Sequence, residues 1–130
     1  MRFKVKYLKS FFNKTGSLTP FYIDKTLENF KIKRFFFLQG KKKYLRANHA
    51  HKKCDQIYIP VHGEMTIKVI KKNMKKSFYK LSFKKKKILF IPKFTWTSIK
   101  FHKNNSVLLV LCNYQYDRKE YIENINELKK

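Results

Sequence analysis

The most regular feature of this sequence is an alternation of apolar and polar residues with a period of two. In the first such segment, Phe3, Val5 and Tyr7 alternate with basic residues. Similar strand-like segments follow at spacings of roughly ten residues, and they cover residues 32–38, 56–61, 65–70, 78–83, 88–92, 96–101 and 107–111. A short turn with the glycine that it needs, His62-Gly63-Glu64, separates two of them. The pattern predicts an antiparallel β-sandwich or β-barrel.

The C-terminal segment breaks this pattern. From Asp117 the sequence reads DRKEYIENINELKK and contains half of all the acidic residues of the chain. It predicts one short helix with Asp117 as its N-cap. We therefore expect an all-β fold with a short C-terminal helix, in a single domain that covers residues 1–130.

Composition narrows the class of protein. With 43% hydrophobic and 17% aromatic residues, the chain has enough apolar side chains for a packed core, which argues against disorder. Two cysteines, Cys54 and Cys112, exclude a disulfide scaffold and a four-cysteine zinc site, and we expect both to be buried as small apolar residues. No run of 18 apolar residues predicts a membrane span, and the first residues do not form a signal peptide. These features predict a cytoplasmic protein with no membrane partner.

The formal net charge of +24 suggests a polyanionic partner such as nucleic acid. However, only four of the basic residues are arginines, which specific base contacts favour, and the lysines are spread along the chain. We therefore favour a solvated lysine surface that attracts anionic ligands such as nucleotides. A basic nucleic-acid-binding β-barrel remains the alternative from a different functional class.

The segment with the most potential chemistry is Arg46-Ala47-Asn48-His49-Ala50-His51. In a strand, residues two apart point to the same face, so His49 and His51 project together. With Asp55 and Gly63 after it, this pair resembles the first motif of the cupin fold, whose metal-binding members add one more histidine. Thr97 stands where that histidine is expected, so we predict no metal. Without metal, the two imidazoles predict a general base and a proton shuttle; two surface histidines are the alternative.

Three further residues carry weaker signals. His62 and His102 lie in predicted turns, so we expect both on the surface. Trp96 fits two roles equally well, a core residue or a stacking platform for a base or sugar.

Several segments, in this order along nearly the whole chain, resemble the dTDP-sugar 3,4-ketoisomerases, which are small metal-independent cupins. These segments are Gly16-Ser17-Leu18-Thr19-Pro20, Ile32-Lys33-Arg34-Phe35-Phe36-Phe37, Arg46 to Lys53, Ile91-Pro92, Trp96, Val107-Leu108-Leu109-Val110-Leu111, Tyr116-Asp117 and Tyr121-Ile122. The HAHKK segment and the Asp-x-x-x-Tyr-Ile segment are the most specific of them.

The resemblance implies a cupin-type antiparallel β-barrel (a jelly roll) and an isomerase without a cofactor. Its implied activity is conversion of dTDP-4-keto-6-deoxyglucose to a dTDP-3-keto-6-deoxyhexose through an enediol. The product would feed an aminotransferase that makes 3-amino sugars for surface glycans such as the O-antigen of lipopolysaccharide. The family also implies a homodimer with exchanged N-terminal strands. Pocket residues near Thr15 and Gly16 are expected to influence the C4 configuration of the product.

By the family pattern, His49 is the base that removes the C3 proton, and His51 assists it or shuttles a proton. Arg46 and Arg34 are implied to anchor the diphosphate or to hold the pocket shape. An ion pair with Asp55 is the alternative for Arg34. The full implied substrate-binding set is Arg46, Arg34, Asn48, Phe36 and Trp96.

Two departures from the family pattern bear on the mechanism. Phe36 and Phe37 stand where the family usually has two tyrosines, so one hydroxyl near the sugar is missing. The usual histidine after the tryptophan is Thr97. A hydroxyl of Thr97, Tyr58 or Tyr44, or a water, is expected to replace the missing group. The alternative within the fold is a cupin that binds a nucleotide sugar without turning it over.

Overall fold

The computed structural model describes residues 1–23, 27 and 29–129. In chain order, its strands are β1 Lys4–Tyr7, β2 Phe11–Asn13, β3 Gly16–Leu18, β4 Arg34–Gly40, β5 Leu45–His51, β6 Gln56–His62, β7 Glu64–Ile70, β8 Lys76–Ser82, β9 Lys87–Ile91, β10 Trp96–Phe101, β11 Ser106–Cys112 and β12 Tyr121–Ile122. Two 3₁₀ turns, Arg118–Glu120 and Ile125–Lys129, flank β12.

Most of these strands form two antiparallel five-stranded sheets. The order in the first sheet is β1-β9-β6-β11-β4, and the order in the second is β12-β5-β10-β7-β8. The two sheets pack face to face, because one buried cluster combines residues from both of them, for example Tyr58 and Leu108 with Ile67 and Ile99. The all-β, cupin-type antiparallel architecture is therefore confirmed.

The glycine predicted to form a turn connects the two sheets. Gly63 lies between the end of β6 in the first sheet and the start of β7 in the second. Its φ of 75° is in the left-handed region that favours glycine. A Cβ at this position would lie 2.1 Å from the Ser106 hydroxyl oxygen, so a side chain has no room here.

The outer face of the first sheet is also apolar. On β11, Leu108 and Val110 face the core between the sheets, whereas Leu111 packs on the outside with Leu27 and Phe30. Burial on both faces explains why residues 107–111 form a continuous apolar run instead of an alternating pattern.

Two elements differ from the sequence prediction. The β2–β3 hairpin was not predicted from its short segments. The predicted single C-terminal helix is replaced by two short 3₁₀ turns, because Tyr121 and Ile122 pair with β5 between them. Asp117 nevertheless caps the first turn, since its side chain accepts a hydrogen bond from the Lys119 amide at 3.0 Å.

Within the described ranges, no helix has both the length and the apolar composition needed to cross a membrane.

Candidate active site

A β-bulge precedes the two histidines on β5. Thr97 of β10 lies opposite His49, but the next residue, Ser98, lies opposite Ala47, so Asn48 is an extra residue on β5. Ala47 and Asn48 have φ values of 69° and 58°, which are uncommon for an alanine in particular. The Ser98 hydroxyl donates to the Asn48 side-chain oxygen. Bulges change the direction of the side chains that follow, and here those side chains are the histidines.

His49 and His51 share one face of β5, as predicted. Their rings are perpendicular, with centroids 4.9 Å apart. The ring of Tyr121 lies 4.9 Å from that of His49 and 4.4 Å from that of His51. The pairing of β12 with β5 positions this tyrosine, since Tyr121 lies directly opposite His51. The strand that interrupts the C-terminal helix thus completes a cluster of three rings.

Glu120 orients His51. The Nδ1 of His51 lies 2.5 Å from Oε2 of Glu120, and Glu120 is only 2% exposed. The other carboxylate oxygen accepts hydrogen bonds from the backbone amides of Lys53 at 3.0 Å and Cys54 at 3.2 Å. His51 therefore donates from Nδ1 to the carboxylate, and its Nε2 carries the lone pair. This Nε2 is buried and has no hydrogen-bond partner among the described residues.

His49 adopts the same tautomer for a different reason. Its Nδ1 lies 3.0 Å from the carbonyl oxygen of Ala47, which only accepts hydrogen bonds, so Nε2 is again the basic nitrogen. Burial, with a smaller contribution from His51, lowers the pKa of His49 to about 4. Burial also lowers the pKa of His51, although the hydrogen bond and the charge of Glu120 oppose this effect. Both imidazoles are therefore neutral at pH 7 and can accept a proton.

His49 borders two adjacent cavities. The first, of about 360 Å³, is lined by Arg34, Phe36, Leu38, Arg46, Ala47, His49, Gln56, Tyr58, Tyr116 and Tyr121. The second, of about 340 Å³, is lined by Ala47, Asn48, His49, Tyr116, Arg118, Tyr121 and Glu123. Four predicted site residues, Arg34, Phe36, Arg46 and His49, thus meet at one cavity, and Asn48 lies at its neighbour. His51 lies behind them against the rings of His49 and Tyr121.

Arg34 is held by neutral groups. Its Nε donates to the carbonyl oxygen of Tyr114 at 3.3 Å, and its guanidinium lies over the rings of Phe36 and Tyr116. The alternative ion pair with Asp55 is wrong, because the two Asp55 carboxylate oxygens accept from the Lys93 amide and the Asn113 side chain. The Arg34 charge is therefore not neutralised by Asp55, and its buried Nη2 has no hydrogen-bond partner within the described part of the chain.

Trp96 does not contribute to the lining of either cavity. It is 9% exposed and packs with Ala50, Ile70, Ile122 and Leu128 in a separate core cluster. Trp96 is therefore a core residue, and the expectation that it contacts the substrate is wrong.

The structure also tests the expected burial of the other two histidines and of the two cysteines. His62 is exposed, as expected. His102 is instead half-buried, with its Nε2 2.6 Å from the Thr66 hydroxyl oxygen. Cys54 and Cys112 are both buried free thiols, in agreement with their expected role.

Sequence reasoning missed Glu120 and two of the three tyrosines that line the first cavity, Tyr116 and Tyr121, as site residues. The signal for Glu120 was the concentration of scarce acidic residues in the C-terminal segment, which was interpreted only as a helix.

The Tyr58 hydroxyl lies 2.9 Å from that of Thr97. Burial raises the pKa of the Tyr121 hydroxyl, although the neighbouring Arg34 opposes this effect.

The sequence of the chain matches one family model, described as FdtA: WxcM-like, C-terminal, over residues 1–130. Among curated proteins, none matches it.

Several solved structures are similar to this chain. One is a histidine-to-asparagine variant of QdtA, a 3,4-ketoisomerase from Thermoanaerobacterium thermosaccharolyticum, in complex with TDP-4-keto-6-deoxyglucose (27% identity, 98% of this chain and 91% of that chain, TM-score 0.84). Another is the TDP-quinovose 3,4-ketoisomerase WlaRB from Campylobacter jejuni (27% identity, 98% and 96%, TM-score 0.86). A third is WlaRA, a TDP-fucose-3,4-ketoisomerase from Campylobacter jejuni (29% identity, 99% and 94%, TM-score 0.82).

Proposed function

This chain belongs to the family described as FdtA: WxcM-like, C-terminal, and from that premise we propose that it is a sugar-nucleotide 3,4-ketoisomerase. It converts dTDP-4-keto-6-deoxyglucose to a dTDP-3-keto-6-deoxyhexose. The observation that carries this proposal is the pair of neutral imidazoles, each with a basic Nε2, beside a cavity that also contains two arginines. The similar structures support the substrate, since one of them holds TDP-4-keto-6-deoxyglucose.

The reaction needs a base and a proton carrier. The C4 ketone acidifies the proton on C3, and a base removes that proton to form an enediol. A proton then passes between the oxygens on C3 and C4, and C4 is reprotonated. Substrate and product are isomers, so the protons balance and no electron leaves the sugar. General acid–base catalysis by positioned histidines is sufficient for each step.

Their positions support separate roles for the two histidines. His49 lines the cavity and is kept neutral by burial, so it removes the C3 proton. His51 lies behind it, in contact with His49 and Tyr121, and assists the proton transfer through these two side chains, which line the cavity. Tyr121 supplies the hydroxyl that Phe36 lacks, because it lines the cavity and contacts both imidazoles. Arg34 and Arg46 bind the diphosphate.

The decisive experiment is incubation with dTDP-4-keto-6-deoxyglucose and a 3-aminotransferase, followed by identification of the amino sugar. A 3-amino-3,6-dideoxy sugar supports the proposal, and its configuration at C4 identifies the product. Exchange of the C3 proton with solvent deuterium is measured in parallel. Phe36 at the cavity favours a second candidate, a cupin that binds the nucleotide sugar without turnover. That protein would bind dTDP and show neither exchange nor product.

We propose that the assembly is a homodimer with exchanged N-terminal strands. The β2–β3 hairpin forms a two-stranded sheet of its own and exposes Phe11, Phe12 and Leu18 by 53%, 78% and 66%. An isolated two-stranded hairpin is at best marginally stable, so a second copy that covers these side chains would stabilise it. Light scattering at micromolar concentration tests this proposal, and a monomer there would contradict it.

The proposed pathway and location follow from the activity. A 3-keto sugar nucleotide is the substrate that a 3-aminotransferase needs, which places the protein before the amination step in biosynthesis of 3-amino sugars for surface glycans such as the O-antigen of lipopolysaccharide. The buried free thiols of Cys54 and Cys112 agree with a reducing compartment such as the cytoplasm.

A further inference from the structure

Glu120 is a buried acid in a strongly basic protein. The chain has 32 lysines and arginines and only 8 acidic residues, and this acidic residue is 2% exposed. Its ion-pair partner in the described part of the chain is His51, not a lysine or an arginine. A buried carboxylate is costly unless hydrogen bonds compensate it, and Glu120 has three donors. Such an arrangement calls for a reason beyond packing.

The three donors divide between the two carboxylate oxygens. Oε1 accepts from the backbone amides of Lys53 and Cys54, and Oε2 faces Nδ1 of His51. Since a backbone amide only donates, the position of Oε1 must hold an acceptor. The two amides therefore fix the orientation of the carboxylate, and its second oxygen, Oε2, always faces the imidazole.

We propose that Glu120 is a positioning residue of the isomerisation: it fixes His51 in the tautomer with the proton on Nδ1, and so keeps Nε2 available to carry a proton. This inference rests on the proposed function for the reaction that His51 serves. The buried Nε2 supports it, because no group among the described residues donates to this nitrogen and its lone pair stays available. Glu120 also stabilises the imidazolium while His51 holds the proton.

The variant Glu120→Gln tests the tautomer directly. It has nearly the same shape as the native side chain, and its amide oxygen must take the Oε1 position to satisfy Lys53 and Cys54. Its NH₂ group then faces Nδ1 of His51 and donates to it, so the proton of His51 moves to Nε2. The basic nitrogen of His51 would then be Nδ1, which faces the glutamine, and Nε2 could no longer accept a proton.

Nitrogen-15 NMR of histidine-labelled protein reads the tautomer without substrate. The chain has four histidines, and the spectrum of His51→Asn assigns the signal of His51. We expect the native protein to carry the proton on Nδ1 and Glu120→Gln to carry it on Nε2. Glu120→Asp keeps a carboxylate and is expected to keep the native tautomer. A Glu120→Gln protein whose His51 keeps its proton on Nδ1 would overturn the inference.

Turnover measures the consequence. Reversal of the tautomer of a catalytic histidine in a serine protease lowers kcat by about 10⁴-fold, and general acid–base catalysis is worth roughly 10²–10⁴-fold, so we expect kcat of Glu120→Gln to fall by at least about 10²-fold. KM should change by less than about threefold, because Glu120 does not line the cavity. Glu120→Asp should retain more activity than Glu120→Gln. The matched control is Glu127→Gln, an exposed acid in the same C-terminal segment, which should keep native kcat.

The two possible failures are distinguishable. If the native protein neither exchanges the C3 proton nor forms product, the proposed function is wrong. If the native protein turns over and Glu120→Gln keeps native kcat, the role of Glu120 is wrong. A simple loss of folding in Glu120→Gln would also contradict the inference, since a structural role alone would then account for the lost activity; circular dichroism and the NMR spectrum detect it.

Discussion

His49 and His51 on β5 can be compared with His62 and His102, which lie beside the β6–β7 turn. In the first pair, His51 is buried and His49 is half-buried, the ring centroids lie 4.9 Å apart, and a cavity borders His49. In the second region, His62 is exposed, and His102 is half-buried and hydrogen-bonded to the hydroxyl of Thr66. The four side chains have the same chemistry but different surroundings. His49 differs from both by lying at a cavity with its Nδ1 bonded to a carbonyl oxygen, which leaves its Nε2 free to act as a base.

The largest expected effect is that of removing the cavity histidine. His49→Asn keeps much of the size and hydrogen-bonding capacity of the side chain but removes the base. General acid–base catalysis contributes roughly 10²–10⁴-fold, so we expect turnover to fall at least about a hundredfold, with a much smaller change in dTDP affinity. The control, His62→Asn, alters an exposed histidine of the other region and should leave turnover unchanged.

Solvent exchange sharpens this comparison, because it follows the C3 proton itself. If His49→Asn exchanges this proton with deuterium at the native rate, His49 is not the base, and the assignment of that role must pass to His51 or Tyr121.

The next effect is on pH dependence. Because burial lowers the pKa of His49 to about 4, the base stays unprotonated from pH 8 down to about pH 5, and protonation of His49 should cause no loss of kcat/KM there. Activity should fall as the pH approaches 4. An unperturbed histidine, with a pKa near 6.5, would already have lost half of its activity at pH 6.5. A kcat/KM profile with its midpoint near 6.5 would contradict the lowered pKa of His49.

The same shift affects stability. The pKa of His49 is lower in the folded protein than in the unfolded chain, so the unfolded chain binds more protons between pH 6.5 and 4. The free energy of unfolding should therefore decrease as the pH falls through this range. Urea denaturation of the native protein and of His49→Asn at pH 7 and pH 5 would isolate this contribution, since the variant lacks the titrating group.

The contrast between the two regions also explains what the sequence could predict. The period-two pattern predicted β7, because alternate residues of this strand are buried between the sheets, whereas β11 was predicted from a continuous apolar run. The shared face of His49 and His51 followed from the same period. Glu120 could not be predicted to contact His51, because 69 residues separate them and only the pairing of β12 with β5 brings them together. That short strand has two residues and gives no periodic signal.

A smaller effect is expected when the family hydroxyl is restored. Phe36 lines the cavity beneath the guanidinium of Arg34, so Phe36→Tyr would place a hydroxyl at the cavity without removing the ring. If Tyr121 only substitutes for a lost hydroxyl, kcat of Phe36→Tyr should equal or exceed the native value. A severe loss of kcat would mean that the pocket has been rebuilt around the phenylalanine, and Tyr121→Phe measured beside it shows which hydroxyl the native protein uses.

The smallest expected effect is that of a chelator, which should leave kcat unchanged. A metal at His49 and His51 would need further ligands. The two positions where the cupin pattern expects them, Asp55 and Thr97, hydrogen-bond to other residues. The Thr97 hydroxyl pairs with Tyr58, and both Asp55 oxygens accept hydrogen bonds from Lys93 and Asn113. Among the residues that the structure describes, no three histidines, cysteines or acids are grouped as metal ligands would be. Metal analysis of the purified protein together with kcat before and after chelation tests this, and stoichiometric metal that is lost on substitution of His49 would contradict it.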